Sequence, residues 1–151
     1  MTKGGVLKNL FFNFAAVAAL MLGAVSTAAA SADTSAKPGG VYPLKPGIYV
    51  AEGSECGAPA NAAIRQYDGK GISTAHTRAC KATVKKRKSN SFTVDQSCID
   101  AGAGPAPRRV QRQQVTVSNA LTFKQAIGKD ATTYHYCAPY LLPADLQKAA
   151  R

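Results

Sequence analysis

The chain has 151 residues and a formal net charge of +11, with 46% hydrophobic residues, 7% aromatic residues and no tryptophan. This length favours a single domain with a modest core, which excludes a large multidomain enzyme. Because few aromatic side chains are available to fill that core, a compact fold needs added cross-links such as disulfides.

The first 32 residues have the layout of a secretory signal peptide. Lys3 and Lys8 precede an apolar run from Leu10 to Val25, and Ala30-Ser31-Ala32 then supplies a small-residue cleavage pattern. The alternative is an uncleaved membrane anchor, but the apolar run is short of the roughly 20 residues that a spanning helix needs. We therefore predict a signal peptide over residues 1–32, with cleavage after Ala32.

Removal of residues 1–32 takes away two lysines and no acid, so the formal charge falls from +11 to +9 on 119 residues. Residues 33–46 are rich in Ser, Lys, Pro and Gly and predict an extended leader, whereas residues 47–151 predict one domain. An exported chain reaches an oxidising compartment, where its four cysteines can form disulfides. We expect a periplasmic or secreted protein with no membrane span after signal cleavage.

Turn signals divide the mature chain at intervals of about eight to twelve residues, a spacing typical of a small all-β fold. Strands are predicted over residues 47–51, 62–67, 71–74, 109–117, 121–126 and 131–137. The Asp68-Gly69-Lys70 turn predicts a hairpin, because Asp-Gly tolerates positive φ. A Gly/Pro-rich loop is predicted over Ala101–Pro107, and a short helix from Pro143 to the C-terminus.

These elements predict an all-β fold, a small antiparallel sheet or barrel of about six to eight strands, with two disulfides and a short C-terminal helix. The aromatic residues available for its core are Tyr42, Tyr49, Tyr67, Phe92, Phe123, Tyr134, Tyr136 and Tyr140.

The hairpin around Ser89 has the most sharply defined register. Folding the chain antiparallel about Ser89 places Val84 opposite Val94 and Cys80 opposite Cys98. The register that buries both valines also aligns the two cysteines, and a slip of one residue would move them to opposite faces. Directly opposed strand residues come close enough for a disulfide with little distortion.

Four cysteines allow three pairings, which the sequence alone does not decide. The hairpin favours Cys80–Cys98 and leaves Cys56–Cys137 to tie the first strand region to the last. The main rival joins Cys56 to Cys80 and Cys98 to Cys137, because Cys56 and Cys80 lie nearly symmetrically about the Asp68-Gly69 turn. No spacing makes a Cys-x-x-Cys pair, so we predict no metal site, and we expect no cofactor.

Catalytic patterns are weak in this chain. His76 and His135 lie in no recognised metal or nucleophile motif. Ser73, His76 and Asp68 could be grouped as a triad, but a triad is defined by geometry, and Asp68 is better explained by its turn. The chain is also small for the cleft across which a glycosidase holds two carboxylates. We therefore predict no catalytic residues and a protein that is not an enzyme.

Two basic clusters are the candidate binding residues. They are Lys85, Lys86, Arg87 and Lys88 at the hairpin tip, and Arg108, Arg109 and Arg112 after the Gly/Pro loop. If both clusters fall on one side of the sheet, they form a positive surface that attracts an anionic polymer. The alternative is a solvated turn and strand edge, where lysines discourage sheet-to-sheet aggregation. No aromatic residues interleave with these clusters, so we do not expect specific recognition of nucleic acid.

The last predicted strand ends in Tyr134-His135-Tyr136-Cys137. In its order of signal peptide, early cysteine, short strands and this ending, the segment from Gly47 to Cys137 resembles the small periplasmic lysozyme inhibitors of bacteria. The resemblance implies a compact antiparallel barrel stapled between its first and last parts. The Ser-Gly-x-x-Tyr-like inhibitory loop is absent, so no inhibitory residue is assigned.

Two functions follow as expectations. The first is a secreted, non-enzymatic binding or inhibitor-like module of the bacterial cell envelope, whose partner is an unknown protein. The second is an electrostatic binder of anionic envelope polymers through the two basic clusters.

We predict that the mature protein begins near Asp33 and contains no free thiol. The first part follows from the Ala-Ser-Ala pattern, and the second from an even cysteine count in an oxidising compartment. The intact mass of protein recovered from its native host tests both parts. A mass that retains residues 1–32, or a cysteine that alkylates without prior reduction, would contradict the prediction.

Overall fold

The computed structural model describes residues 37–102 and 107–150. The predicted signal peptide and the centre of the predicted Gly/Pro loop lie outside these residues. The strands are β1 (Gly47–Ala51), β2 (Ile64–Tyr67), β3 (Ile72–Thr74), β4 (Thr77–Lys88), β5 (Ser91–Asp100), β6 (Arg108–Asn119), β7 (Thr122–Ile127) and β8 (Asp130–Cys137). Two 3-10 turns (Asn61–Ala63 and Pro139–Leu141) and one helix, α1 (Ala144–Ala149), complete the elements.

The eight strands form one antiparallel sheet in the order β3-β2-β1-β8-β7-β6-β5-β4. Consecutive strands therefore pair with each other except β3 and β4, and the first strand also pairs with the last, with Tyr49 opposite Tyr136. This up-and-down arrangement is a nearly closed barrel, and it confirms the predicted all-β fold with its short C-terminal helix. No helix in the described ranges is long and apolar enough to cross a membrane.

The barrel closes between β3 and β4 without a regular ladder. The Ala82 N–H donates to the Lys70 carbonyl at 2.8 Å, and Ile72 bonds through both of its backbone groups to the side-chain amide of Gln96. A Cβ on Gly71 would lie 2.6 Å from the Cys80 carbonyl oxygen. The two strands therefore approach so closely that only glycine fits at this position.

The apolar core fills one end of the barrel interior. Its buried members are Tyr42, Leu44, Tyr49, Tyr67, Ile72, Phe92, Val94, Val115, Val117, Phe123 and Tyr134. Tyr42 and Leu44 belong to the segment predicted as a leader, and both are fully buried. The described part of that segment thus packs against the barrel. Tyr140 was wrongly expected in the core; it is 51% exposed because it lies on a 3-10 turn after β8.

A second core lies on the outer face of β1. Ile48 and Val50 alternate with the inward Tyr49, and they are covered by Leu142 and by Leu146 of α1. Both faces of β1 are therefore buried, which explains its almost continuous apolar sequence.

Both disulfides have the pairing that the hairpin favoured, Cys56–Cys137 and Cys80–Cys98, and the rival pairing is wrong. The described residues contain no free cysteine. The first bridge joins the loop after β1 to the end of β8, and the second joins β4 to β5. They cross-link separate parts of the barrel wall, which restricts the unfolded chain.

The predicted register of the β4–β5 hairpin is confirmed from Lys81 to Val84, where Val84 faces Val94. The register then shifts at Lys85, so the turn contains two residues, Ser89 and Asn90. The expectation that both valines are buried is wrong for Val84, which is 40% exposed. The reason is that β3 and its preceding turn reach along β4 only as far as Ala82, so no strand covers Val84.

The predicted element bounds need small corrections. The strand expected from Ala62 begins at Ile64, because Asn61–Ala63 forms a 3-10 turn. The strand that starts at Arg108 runs to Asn119, two residues beyond its predicted end. Pro143 precedes α1 as its N-cap and is not its first helical residue.

The hydroxyl of Tyr67 anchors the segment that crosses the end of the barrel. It accepts from the Tyr42 N–H at 2.9 Å and can donate to the carbonyl of Gly39 at 2.7 Å. The neighbouring Tyr42 hydroxyl is also buried but has no hydrogen-bond partner among the described residues. The two phenols therefore offer a matched pair for testing this anchor.

We predict that Tyr67→Phe lowers the free energy of unfolding by about 1–2 kcal/mol, because the buried Tyr42 N–H loses its acceptor. Tyr42→Phe, the control, should leave that free energy unchanged or raise it slightly, because it removes an unpaired hydroxyl. Urea unfolding at pH 7 measures both. Equal losses in the two variants would contradict the proposed anchor.

Candidate functional site

The outer face of β4, β5 and β6 brings separate basic residues together. Strand β5 lies between β4 and β6, and side chains alternate between the two faces of each strand. The outward positions carry Lys81, Lys85, Lys86, Lys88, Arg108 and Arg112, which we call the basic face. The sequence condition that both clusters share one side of the sheet is therefore met for most of their members.

Asp95 lies at the centre of the basic face on β5. Its carboxylate accepts two hydrogen bonds from Arg112, at 2.8 and 3.1 Å, and lies 3.6 Å from the Lys85 ammonium. The Arg112 hydrogen bond, aided by the nearby charges, holds the pKa of the Asp95 carboxyl below its usual range. Asp95 is thus ionised at neutral pH and offsets part of the charge of two cations.

Arg108 is fixed across the outer side of β5. Its guanidinium donates to the Ser97 hydroxyl at 3.0 Å and to the Ala79 carbonyl of β4 at 2.6 Å. These acceptors are neutral, so the positive charge of Arg108 is held in place without being cancelled. The geometry gives the basic face one preorganised cation.

Three lysines of β4 complete the basic face. Lys81, Lys86 and Lys88 are exposed, and within the described ranges none of them lies within 4.0 Å of a carboxylate. The register shift at Lys85 places Lys86 opposite Thr93 and keeps it on the outer side. Their ammonium groups are therefore accessible to an anionic ligand.

Two of the predicted binding residues lie away from the basic face. Arg87 has its guanidinium 5.0 Å from the centre of the Phe92 ring, at the end of the barrel. Arg109 points to the opposite side of β6 and forms an ion pair of 2.9 Å with Asp100. The strand alternation explains both positions, because each residue sits next to an outward-facing cation in sequence.

Asp68 and the two histidines, which were considered for catalysis, lie in turns or on the outside of the barrel. Asp68 accepts from the backbone N–H groups of Lys70 and Gly71, as expected for its turn. His76 is exposed, and His135 lies on the outer face of β8, 3.9 Å from the carboxylate of Glu52. Among residues 37–102 and 107–150, no cluster of three or more His, Cys, Asp or Glu side chains could hold a metal ion.

A second candidate site lies inside the barrel, and the sequence reasoning missed it. Gln96, Gln113 and Gln125 are buried and occupy inward positions of β5, β6 and β7. Together they line a cavity of about 320 Å³ at the end of the barrel opposite Tyr42. The barrel interior is therefore apolar at one end and polar at the other.

A chain of hydrogen bonds joins the polar residues of this cavity. The Arg65 guanidinium lies 4.7 Å from the centre of the Tyr134 ring and donates to the Gln125 Oε1 atom at 2.9 Å. The Gln125 Nε2 atom in turn donates to the Gln113 Oε1 atom. The Gln113 Nε2 atom is buried and has no hydrogen-bond partner among the described residues.

The sequence does contain a signal for this site. Gln113 and Gln125 follow the same alternation as the buried Val115 and Phe123 on their strands. A glutamine at a core position of several neighbouring strands indicates a polar interior. That inference requires the strand order, which the sequence pattern alone does not supply.

No protein-family model matches this chain, and neither the curated proteins nor the solved structures contain a significant match to it. The two candidate sites are accordingly interpreted from their geometry and chemistry.

Proposed function

We propose that the protein is a non-enzymatic binding module that holds an anionic polymer against the basic face. The supporting observation is the position of β5, which places cations from two distant sequence clusters on one outer surface. Asp95 is the carboxylate that pairs with them in the described part of the chain. Such a concentration of one charge attracts a ligand of the opposite charge.

The lysines of β4 suggest how the polymer lies. Lys86 and Lys88 are alternate residues of one strand, so their Cα atoms are about 7 Å apart, and Lys81 continues the row. A flexible polyanion extended along β4 would meet these ammonium groups in succession and reach Arg108 and Arg112 across β5. Its binding would release counterions, and the affinity would therefore fall steeply with salt.

The compartment narrows the class of polymer. The two disulfides fit a protein that matures in an oxidising compartment. In the periplasm or outside a bacterial cell, the polyanions within reach are phosphate-bearing and carboxylate-bearing envelope polymers. The alternative expectation, an inhibitor of a protein partner that acts through its loops, stays a prediction.

We predict that replacing Lys86 and Lys88 with serine weakens binding of polyphosphate, used as the probe polymer. The slope of log K against log salt should become shallower by about 1.4, since each lost contact removes about 0.7 for a flexible chain. The thermal midpoint should change little, because both side chains are exposed. Titration at several salt concentrations at pH 7 measures the slope.

The matched control replaces Lys129 and Lys148 with serine, which removes the same net charge outside the basic face. Lys129 lies in the turn before β8, and Lys148 lies on α1, which covers β1. This control should keep the salt slope of the parent protein. Equal slopes in the two double variants would show that only the net charge matters and would overturn the assigned face.

A further inference from the structure

The geometry points to a second binding site inside the barrel, which is separate from the basic face. We propose that the cavity at its polar end takes a small molecule with an apolar body and an oxygen acceptor, a carboxylate or an amide carbonyl, at the inner end. The acceptor would bind the Nε2 atom of Gln113.

The hydrogen-bond chain leaves one orientation for each amide. Arg65 carries only donors, so Gln125 must present its oxygen to the guanidinium and its nitrogen to the next residue. Gln113 must then turn its own oxygen toward Gln125, and its nitrogen is left over. The chain therefore ends in a donor, and the cationic Arg65 at its start polarises that donor.

The Gln113 nitrogen occupies an unusual environment. The residue is only 3% exposed, and its Nε2 atom has no acceptor among the described residues. A buried donor without an acceptor is unfavourable, and native proteins rarely keep one. Because Gln113 also lines the cavity, a ligand oxygen that reaches this nitrogen from the cavity would satisfy it.

Gln96 adds a second donor to the same cavity. One N–H of its Nε2 atom bonds to the Ile72 carbonyl at 2.7 Å, and its Oε1 atom is occupied by the Ile72 N–H. The other N–H of that nitrogen is left for a ligand. Among these buried amides, the hydrogen-bonding groups left over are N–H donors, which favour an acceptor over an ammonium group at the inner end of the ligand.

The size and lining of the cavity determine which apolar body the ligand can have. Its volume of about 320 Å³ lies at the small end of the range for ligand sites, which is roughly 300–1,000 Å³. Ile127 and Cys98 supply apolar surface beside the glutamines. Arg109, on the rim and paired with Asp100, keeps the entrance polar. A short aliphatic or aromatic body fits this lining.

The test uses nitrogen-15-labelled protein and three probes that share one apolar body: hexanoate, hexanamide and hexylammonium. Side-chain amide signals are followed by NMR at constant ionic strength and pH 7. Hexanoate and hexanamide should shift the Gln113 NH₂ signals in a saturable way, and hexylammonium should not. Failure of both acceptor probes to shift these signals, or equal binding of hexylammonium, would overturn the proposal.

Two variants and one control assign the effect to the Gln113 nitrogen. Gln113→Met should weaken hexanoate binding about tenfold through loss of the hydrogen bond. Gln113→Glu keeps an acceptor for Gln125 but replaces the free donor by a carboxylate, so the preference should reverse toward hexylammonium. Gln114→Met, on the outer face of the same strand, should bind like the parent.

The folded state of each variant is checked by its thermal midpoint. If Gln113→Met fails to fold, the reversal expected for Gln113→Glu remains a complete test of the site. An unchanged ligand preference in a folded Gln113→Glu protein would overturn the proposal. Polyphosphate binding should be the same in both Gln113 variants as in the parent protein, so failure of this site is distinguishable from failure of the basic face.

Discussion

At the junction of β3 and β4, the side-chain amide of Gln96 takes the place of a neighbouring strand. It accepts from the Ile72 N–H at 2.9 Å and donates to the Ile72 carbonyl at 2.7 Å, so both backbone groups of that residue are paired. The Gln96 amide takes this role where β4 has a bulge. The register of β4 shifts between Arg78 and Lys81, and Ala79 has a φ of 51°. The Cys80–Cys98 bridge lies at the same junction and holds β4 against β5.

Closure of this junction separates an inside from an outside, and the strand alternation then assigns each side chain to one of them. Along β6, Gln113 and Val115 face inward, whereas Arg112 and Gln114 face outward. The same strand thus contributes to the interior cavity and to the basic face. The two candidate sites have different chemistry because one presents uncharged hydrogen-bond donors in a small cavity, and the other presents exposed positive charge.

Local patterns made much of the wall predictable. The bounds of β1, the Asp68-Gly69 turn and the pairing of Val84 with Val94 depend on residues that are close in sequence. The same hairpin favoured Cys80–Cys98, and Cys56–Cys137 then followed only as the remaining pair. The two basic clusters were also visible in the sequence. Their shared face follows from the position of β5 between β4 and β6.

Other features depend on distant contacts and could not be read from the pattern. The register shift at Lys85 has no counterpart in the alternation of β4, and the exposure of Val84 depends on how far the turn before β3 reaches along that strand. The buried Tyr42 has its N–H bonded to the Tyr67 hydroxyl, 25 residues away. Similarly, the glutamines form a network only when β5, β6 and β7 meet around one interior.

The central claim is that the Gln96 amide closes the barrel at Ile72, and amide hydrogen exchange at Ile72 tests it most directly. We expect the Ile72 amide to exchange as slowly as amides inside the β1–β8 ladder, and to exchange much faster in Gln96→Leu while the Tyr49 amide stays protected. Rapid exchange at Ile72 in the parent protein, or protection that survives the loss of Gln96, would contradict the account.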